Sequence, residues 1–356
     1  MLESGFFTSI IGFLIVLTPL IFIHELGHYF AAIKAGVKVE SFSIGFGPEL
    51  FGFKDKRDTR WKFSLFPLGG YVKMKGDLVN SEKNYNKISS NKDTFLEASL
   101  FYRFIIVLSG PIANLLLGIA LISSIYVFNG RYVSPPIIDK VLDAQPAKLA
   151  GLYSGDKILS INNTKISEFK DIKKIVETNP EVFLDFKVLR NNKILNLSVI
   201  PTSFYDKKYG KTIGRIGITA KRSELKKLSF LDACFFGFYD SVKMTIDWIS
   251  GFKALLLFDV DKKDIIGPIG IAKISGSSLD KGLISVVFLM AILSINLGLI
   301  NLLPIPALDG GYILLFTYEL IFKKPLPKVV QLNLLKFGFI FLISLMFLVT
   351  AFDLGF

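Results

Sequence analysis

Four long apolar runs divide this chain, and most of the charge lies between them. A helix needs about 20 apolar residues to cross a bilayer, so residues 7–33, 104–128, 283–303 and 334–352 each predict a transmembrane helix. Between the first two, residues 37–75 change to a period of two. Segments 37–47 and 61–72 alternate around a charged tip at 54–60, which predicts a β-hairpin. Two placements fit it. It is an ordinary cytoplasmic hairpin, or it dips toward the first helix, where non-helical backbone is tolerated along a water-filled cavity and a free edge can hold an extended peptide.

Residues 130–221 read as a compact α+β domain outside the membrane. Gln145-Pro146-Ala147-Lys148-Leu149-Ala150-Gly151-Leu152 predicts a short helix with Pro at its start and Gly at its end. Ser154-Gly155-Asp156 then makes a turn, 158–162 a strand, 168–178 a second helix, and 182–189 with 194–199 a hairpin across Asn191-Asn192. This order resembles a PDZ domain, with Gly151-Leu152 and Gly155-Asp156 near its peptide-binding turn. Such domains commonly add a peptide strand to a sheet edge; a spacer that only blocks access fits the same letters. Residues 229–258 are rich in Phe and Leu, but Asp240, Lys243 and Asp247 recur at helical spacing, so an amphipathic helix at the outer interface is expected there rather than a fifth span.

Composition changes the picture little. A hydrophobic fraction of 51% with 20% charged residues fits a membrane protein with an aqueous part. The expected fold is therefore a mainly α-helical membrane protein with four transmembrane helices, a membrane-associated β-hairpin or sheet, and one extracytoplasmic PDZ-like α+β domain. Its divisions are 1–129, 130–221, 222–282 and 283–356. The stretch after the first helix carries Lys34, Lys38, Lys54, Lys56, Arg57, Arg60, Lys62, Lys73 and Lys75, which puts that side in the cytoplasm. Lys323, Lys324 and Lys328 mark the same side before the fourth helix. The net charge of +12 calls for no nucleic acid, because basic edges beside anionic lipid account for much of it. The first helix lacks a basic flank and a cleavage site, so it is expected to be retained. Cys234 is alone, which excludes a disulfide framework.

The chemistry is concentrated in His24-Glu25-Leu26-Gly27-His28, which holds both histidines of the chain. On a helix, positions 24 and 28 lie one turn apart on one face, so two imidazoles can converge on a tetrahedral Zn²⁺. Glu25 beside them suits a general base that takes a proton from water acidified by the metal and returns it to a leaving amine. Polar groups at the end of a charge-free apolar run are costly without such a use. Zinc needs a third protein ligand, and no histidine remains. Asp309 stands out, in Asn301-Leu302-Leu303-Pro304-Ile305-Pro306-Ala307-Leu308-Asp309-Gly310-Gly311, where prolines break the third helix and glycines allow close backbone approach. A simple turn-capping Asp-Gly is the alternative. The ligand deficit favours coordination.

The His-Glu-Leu-Gly-His motif, Gly110-Pro111-Ile112-Ala113-Asn114, the single PDZ-like domain, Gly267-Pro268-Ile269-Gly270-Ile271-Ala272 and Asn301-x-x-Pro304-x-Pro306-x-x-Asp309-Gly310 follow one another in an order similar to that of the site-2 protease family. Among its members the chain most resembles bacterial regulator-of-sigma-E proteases, in the form with one PDZ domain. The resemblance implies an intramembrane zinc metalloprotease of the bacterial cytoplasmic (inner) membrane. It would cut single-span substrates, anti-sigma-factor-like proteins or remnant signal peptides, after another protease has removed their outer part. It implies zinc on His24, His28 and Asp309, catalysis by Glu25, and substrate handling by Asn296, Asn301, Gly69 and Gly70. The PDZ-like domain would act as a size filter. Tyr312 departs from relatives that carry His after Asp-Gly-Gly.

Overall fold

The computed structural model describes residues 5–76, 93–206, 211–257, 260 and 265–355. The first four residues of the predicted 1–129 division, 77–92 within it, 207–210 of the PDZ-like division, and 258–259, 261–264 and 356 lie outside them. In chain order the elements are α1 (Phe6–Lys34), β1 (Val39–Lys54), β2 (Arg60–Met74), α2 (Leu100–Asn129), β3 (Arg131–Val133), β4 (Ile138–Val141), α3 (Pro146–Leu149), β5 (Lys157–Ile161), β6 (Thr164–Lys165) and α4 (Phe169–Glu177). There follow β7 (Leu184–Arg190), β8 (Lys193–Val199), β9 (Thr202–Asp206), β10 (Lys211–Arg215), β11 (Ile218–Ala220), β12 (Glu224–Lys226), α5 (Phe230–Leu256), α6 (Pro268–Lys281), α7 (Leu283–Asn301), α8 (Asp309–Phe322) and α9 (Lys328–Asp353). Two compact units result, one from Met1–Phe128 with Phe230–Phe356 and one from Asn129–Ser229.

In the first unit, α1, α2, α7 and α9 are long and apolar enough to cross a membrane. Lipid offers backbone groups no partner, so apolar runs of this length close their own hydrogen bonds as helices. α7 stops at Asn301, short of the expected 303, ahead of Pro304 and Pro306. α9 begins at Lys328, before the expected 334, with Pro327 at its N-cap. Helix limits follow caps and breakers, whereas the apolar stretch marks only the lipid-facing part. Two helices, α6 and α8, lie where no helix is expected. α6 nevertheless carries legible signals: Pro268 at its first position and Gly282 at its end with φ +99°.

Helices meet where side chains are small. A methyl group added at Gly12 of α1 would stand 2.7 Å from the Ser275 carbonyl carbon of α6, and one at Gly298 of α7 would stand 2.9 Å from Pro111 O of α2. Close backbone approach of this kind replaces the hydrophobic drive that lipid removes. Polar ties supplement it. Ser294 Oγ donates to Asn114 O at 2.7 Å, Tyr126 OH donates to Asp240 Oδ2 of α5 at 2.7 Å, and Asp353 of α9 accepts from Gly267 N and Gly270 N at the start of α6, both at 2.9 Å.

The segment expected to be a hairpin or sheet is a two-stranded antiparallel sheet with doubled pairing. Phe42 partners both Trp61 and Val72, Ser43 both Lys62 and Tyr71, and Ile44 both Phe63 and Gly70. Segment 41–44 thus lies between 60–63 and 70–73, and each long strand doubles back. Gly45, Gly47 and Gly69, with φ of 90°, 89° and 148°, make those bends. A two-residue period shows which face a residue takes, but not where a strand turns back. The tip is fastened to α1 through Asp55, which accepts from Tyr29 OH at 2.8 Å, Trp61 Nε1 at 2.9 Å, and the backbone N–H of Arg57 and Thr59 at 2.8 and 3.0 Å. Burial alone would raise the Asp55 carboxyl; the Trp61, Tyr29 and backbone donors outweigh it and hold the group below the usual carboxylate range.

The second unit is built on a four-stranded sheet of order β6-β5-β7-β8. Leu184, Phe186 and Val188 of β7 alternate inward with Ile158 and Ile161 of β5, and Ile172 and Val176 of α4 close the core. Arg190 clasps Asp156 with both Nε and Nη2 at 2.7 Å.

Candidate metal centre

α1 is continuous through the motif, so His24 and His28 share a face and Glu25 lies beside it; all three are buried. α8 delivers the third group. Beyond α7 the chain turns through Pro304 and Pro306, and Ala307 takes a φ of 79°, a left-handed conformation that favours glycine. Hydrogen bonds from Ile305 N to Leu303 O at 2.7 Å and from Leu308 N to Ile305 O at 3.1 Å hold the turn. The glycines after Asp309 allow α8 to start against it: a methyl at Gly310 would meet Leu302 O at 2.5 Å, and one at Gly311 would meet Ile305 O at 2.5 Å. From the other side, Gly338 of α9 packs against Pro306.

These elements converge. His24 Nε2 stands 3.1 Å and His28 Nε2 3.5 Å from Asp309 Oδ2, and the two imidazole nitrogens are 3.2 Å apart. Among the described residues these three form the group able to hold a metal ion. A tetrahedral zinc with bonds of about 2.0–2.1 Å holds its ligand atoms about 3.3 Å apart, so the separations fit. Apart from the two imidazoles, Asp309 Oδ2 is buried with no hydrogen-bond donor, which suits a carboxylate oxygen placed for a cation.

α2 supplies the surroundings of the two imidazoles. His28 Nδ1 donates to Ile106 O at 2.8 Å, which leaves its Nε2 lone pair facing Asp309. A methyl at Gly110 would stand 2.6 Å from His28 Cε1, so only glycine leaves room for this imidazole. Gly27 of α1 packs as tightly on the Ser109 backbone. Farther along, Arg103 of α2 forks onto Glu319 of α8 with contacts of 2.9 and 2.6 Å and lies over the Phe316 ring. These roles are hard to see in the letters. A backbone acceptor leaves no residue signature, although Gly110-Pro111 in the middle of an apolar helix is a visible oddity.

A cavity of about 590 Å³ surrounds the three groups, lined also by Glu25, Phe46, Gly69, Gly70, Tyr71, Val72, Asn301 and Tyr312. Its volume is that of a small-ligand or peptide site. Gly70 lies close against Glu25, since a methyl there would meet Glu25 Cγ at 2.9 Å. Of the other expected substrate residues, Gly69 and Asn301 line the cavity; Asn296 is not among its lining residues, although its neighbour Leu297 is. Strand 70–73 forms the wall nearest Glu25 and pairs with β1 on one side.

A model of peptidase family M50 matches residues 12–345. The chain belongs to peptidase family M50, the site-2 proteases. A relative from Rickettsia conorii, named a zinc metalloprotease, is 37% identical over 97% of this chain and 98% of its own. The regulator of sigma-W protease RasP of Bacillus subtilis is 30% identical over 98% and 99%, so the likeness runs end to end and not through one motif. This family M50 member is a zinc metalloprotease and a multi-pass membrane protein. A PDZ domain of an SdrC-like protein from Listeria monocytogenes aligns with 24% of this chain and 87% of its own at 24% identity, with a TM-score of 0.21.

Proposed function

We propose that the protein is an intramembrane protease in which His24, His28 and Asp309 hold the zinc and Glu25 is the general base and acid. The observation that carries this is the convergence of three ligand atoms from α1 and α8 in a cavity walled by a sheet edge. Bound there, zinc would supply a lowered pKa to a water and would polarise the peptide carbonyl that this water's oxygen attacks. Glu25, held beside His24 by the helix and against Gly70 by packing, takes the proton and delivers it to the leaving amine.

The substrate is a single-span membrane protein, of the anti-sigma-factor or remnant signal-peptide kind, cut as the second step of regulated intramembrane proteolysis. A transmembrane helix closes its own peptide hydrogen bonds, so the segment to be cut must unwind first. Strand 70–73 offers the extended chain a row of backbone partners next to Glu25. Gly69 and Gly70 keep that edge free of side chains, and Asn301 at the end of α7 provides an amide in the same cavity. Asn296, about one and a half turns earlier on α7, handles substrate farther from the metal. The enzyme sits in the bacterial inner membrane with its site near the cytoplasmic side and its PDZ-like unit outside, where that unit filters substrates by size.

The test uses detergent-purified protein and a single-span substrate, with zinc measured in the same samples. Glu25→Gln is expected to keep the metal and to lose about 10²–10⁴-fold in cleavage rate. Unchanged cleavage by this variant refutes the assignment.

A further inference from the structure

Asn114 of α2 is fully buried, and its amide faces the other ligand. Nδ2 lies 3.2 Å from His24 Nδ1, while Oδ1 is buried without a hydrogen-bond donor. With the amide donating, His24 Nδ1 accepts, and the imidazole proton then belongs on Nε2. That nitrogen is the one 3.1 Å from Asp309 Oδ2 and 3.2 Å from His28 Nε2, and a proton there blocks ligation. A half-turn of the amide resolves the conflict. The two ends of the group have nearly the same shape, so the turn needs no repacking; it brings Oδ1 against Nδ1–H, gives the orphaned acceptor a donor, and leaves the Nε2 lone pair for the metal. His28 is already arranged this way, with Nδ1 donating to Ile106 O. Both acceptors then come from α2, a helix that contributes no ligand.

We propose that Asn114 is a positioning residue for the metal, its side-chain carbonyl accepting from His24 Nδ1–H and so fixing the tautomer in which Nε2 is free. This rests on His24, His28 and Asp309 being the zinc ligands. Outer partners of this type change metal affinity by about 10–100-fold when removed.

The experiment measures zinc affinity by chelator competition on full-length wild type, Asp309→Ala, Asn114→Leu and Asn114→Asp in detergent. Histidine ¹⁵N spectra of the zinc-loaded proteins are recorded alongside. The chain has two histidines, so each imidazole is read directly. Wild type should hold one zinc with both rings protonated at Nδ1, and Asp309→Ala should lose it. Asn114→Leu, which removes the acceptor at similar volume, should bind zinc about 10–100-fold more weakly, and Asn114→Asp, which keeps an acceptor and loses the donor, should stay within about threefold of wild type. Equal affinity in wild type and Asn114→Leu overturns the proposal, even if the unfolding midpoint falls, because that pattern belongs to a packing residue. Equal weakness of the Asp and Leu variants overturns it too, as does a His24 protonated at Nε2 in the zinc-loaded protein. Wild type without zinc, or Asp309→Ala with undiminished affinity, overturns the ligand assignment and this proposal with it. That failure shows in samples with Asn114 intact, so the two are told apart.

Discussion

Gly110→Ala adds one methyl group to α2 at the point where the imidazole of His28 passes it. The new carbon would stand 2.6 Å from His28 Cε1 and 2.9 Å from Cδ2, and nearer still to Nε2. Moving Cε1 from 2.6 Å to the ordinary contact distance of 3.4 Å requires about 0.8 Å, more than the roughly 0.5 Å within which a site keeps its productive geometry. The ring has little freedom to give way, because Nδ1 is bonded to Ile106 O one turn earlier on the same helix. The helices cannot part easily either, since Gly27 packs on the Ser109 backbone at the same crossing. If the ring turns, the orienting bond is lost and zinc affinity falls about 10–100-fold, equivalent to about 1.4–2.7 kcal/mol. Overpacking adds about 1–3 kcal/mol of lost stability. The assay pairs chelator competition with thermal unfolding in detergent, and Gly118→Ala serves as the control. There the methyl would meet Ile295 Cγ1 at 2.5 Å, away from the metal, so stability should fall while zinc binding stays. A Gly110→Ala protein that binds zinc as tightly as wild type refutes the reasoning.

Three further outcomes follow from the same geometry. Gly70→Ala presses on Glu25 Cγ and Ser43 O; if Glu25 is the proposed base, displacing it by an ångström should lower kcat about 10²-fold with zinc retained, and loss of metal instead would show that the sheet supports the proposed ligands and not Glu25. Glu319→Ala leaves the Arg103 guanidinium buried without its partner, which should cost about 3–5 kcal/mol in an unfolding titration, whereas Arg103→Met combined with Glu319→Leu should recover most of it. The Asp55 carboxyl is lower in the folded than in the unfolded chain, where such a group titrates near 3.9. It therefore stabilises the sheet tip above about pH 4, and that contribution disappears as pH falls through the folded value. Trp61 fluorescence in a Trp248→Phe background should report an acid transition that Asp55→Asn removes; an unaltered transition places the titrating group elsewhere.

Much of the scaffold is legible in the order of residues, because a helix in lipid and a half-buried strand each impose a short local period. The apolar runs locate α1, α2, α7 and α9, and the alternation in 182–199 locates β7 and β8. α8 is not legible in this way, being an apolar stretch of 14 residues between a proline-broken turn and a lysine loop. The doubled strands of the 39–74 sheet are signalled only by glycines whose partners the sequence does not name.

The site divides along the same line. Four-residue spacing sets His24 and His28 on one face whatever the rest of the chain does, and the lack of a further histidine turns the search to carboxylates, among which the proline-broken helix before it makes Asp309 the candidate. Where Asp309 stands is another matter. It depends on the turn at Pro304 and Pro306, on Gly310 and Gly311 admitting the start of α8, and on Gly338 bearing on that turn from α9. Likewise α2 contributes none of the three candidate ligands, yet its Ile106 carbonyl, Gly110 and Asn114 surround the two imidazoles. Local periodicity is a property of one segment's dihedral angles and can be read along the chain. Convergence within about 3 Å depends on which small residues let which backbones meet, and only the packed structure decides that.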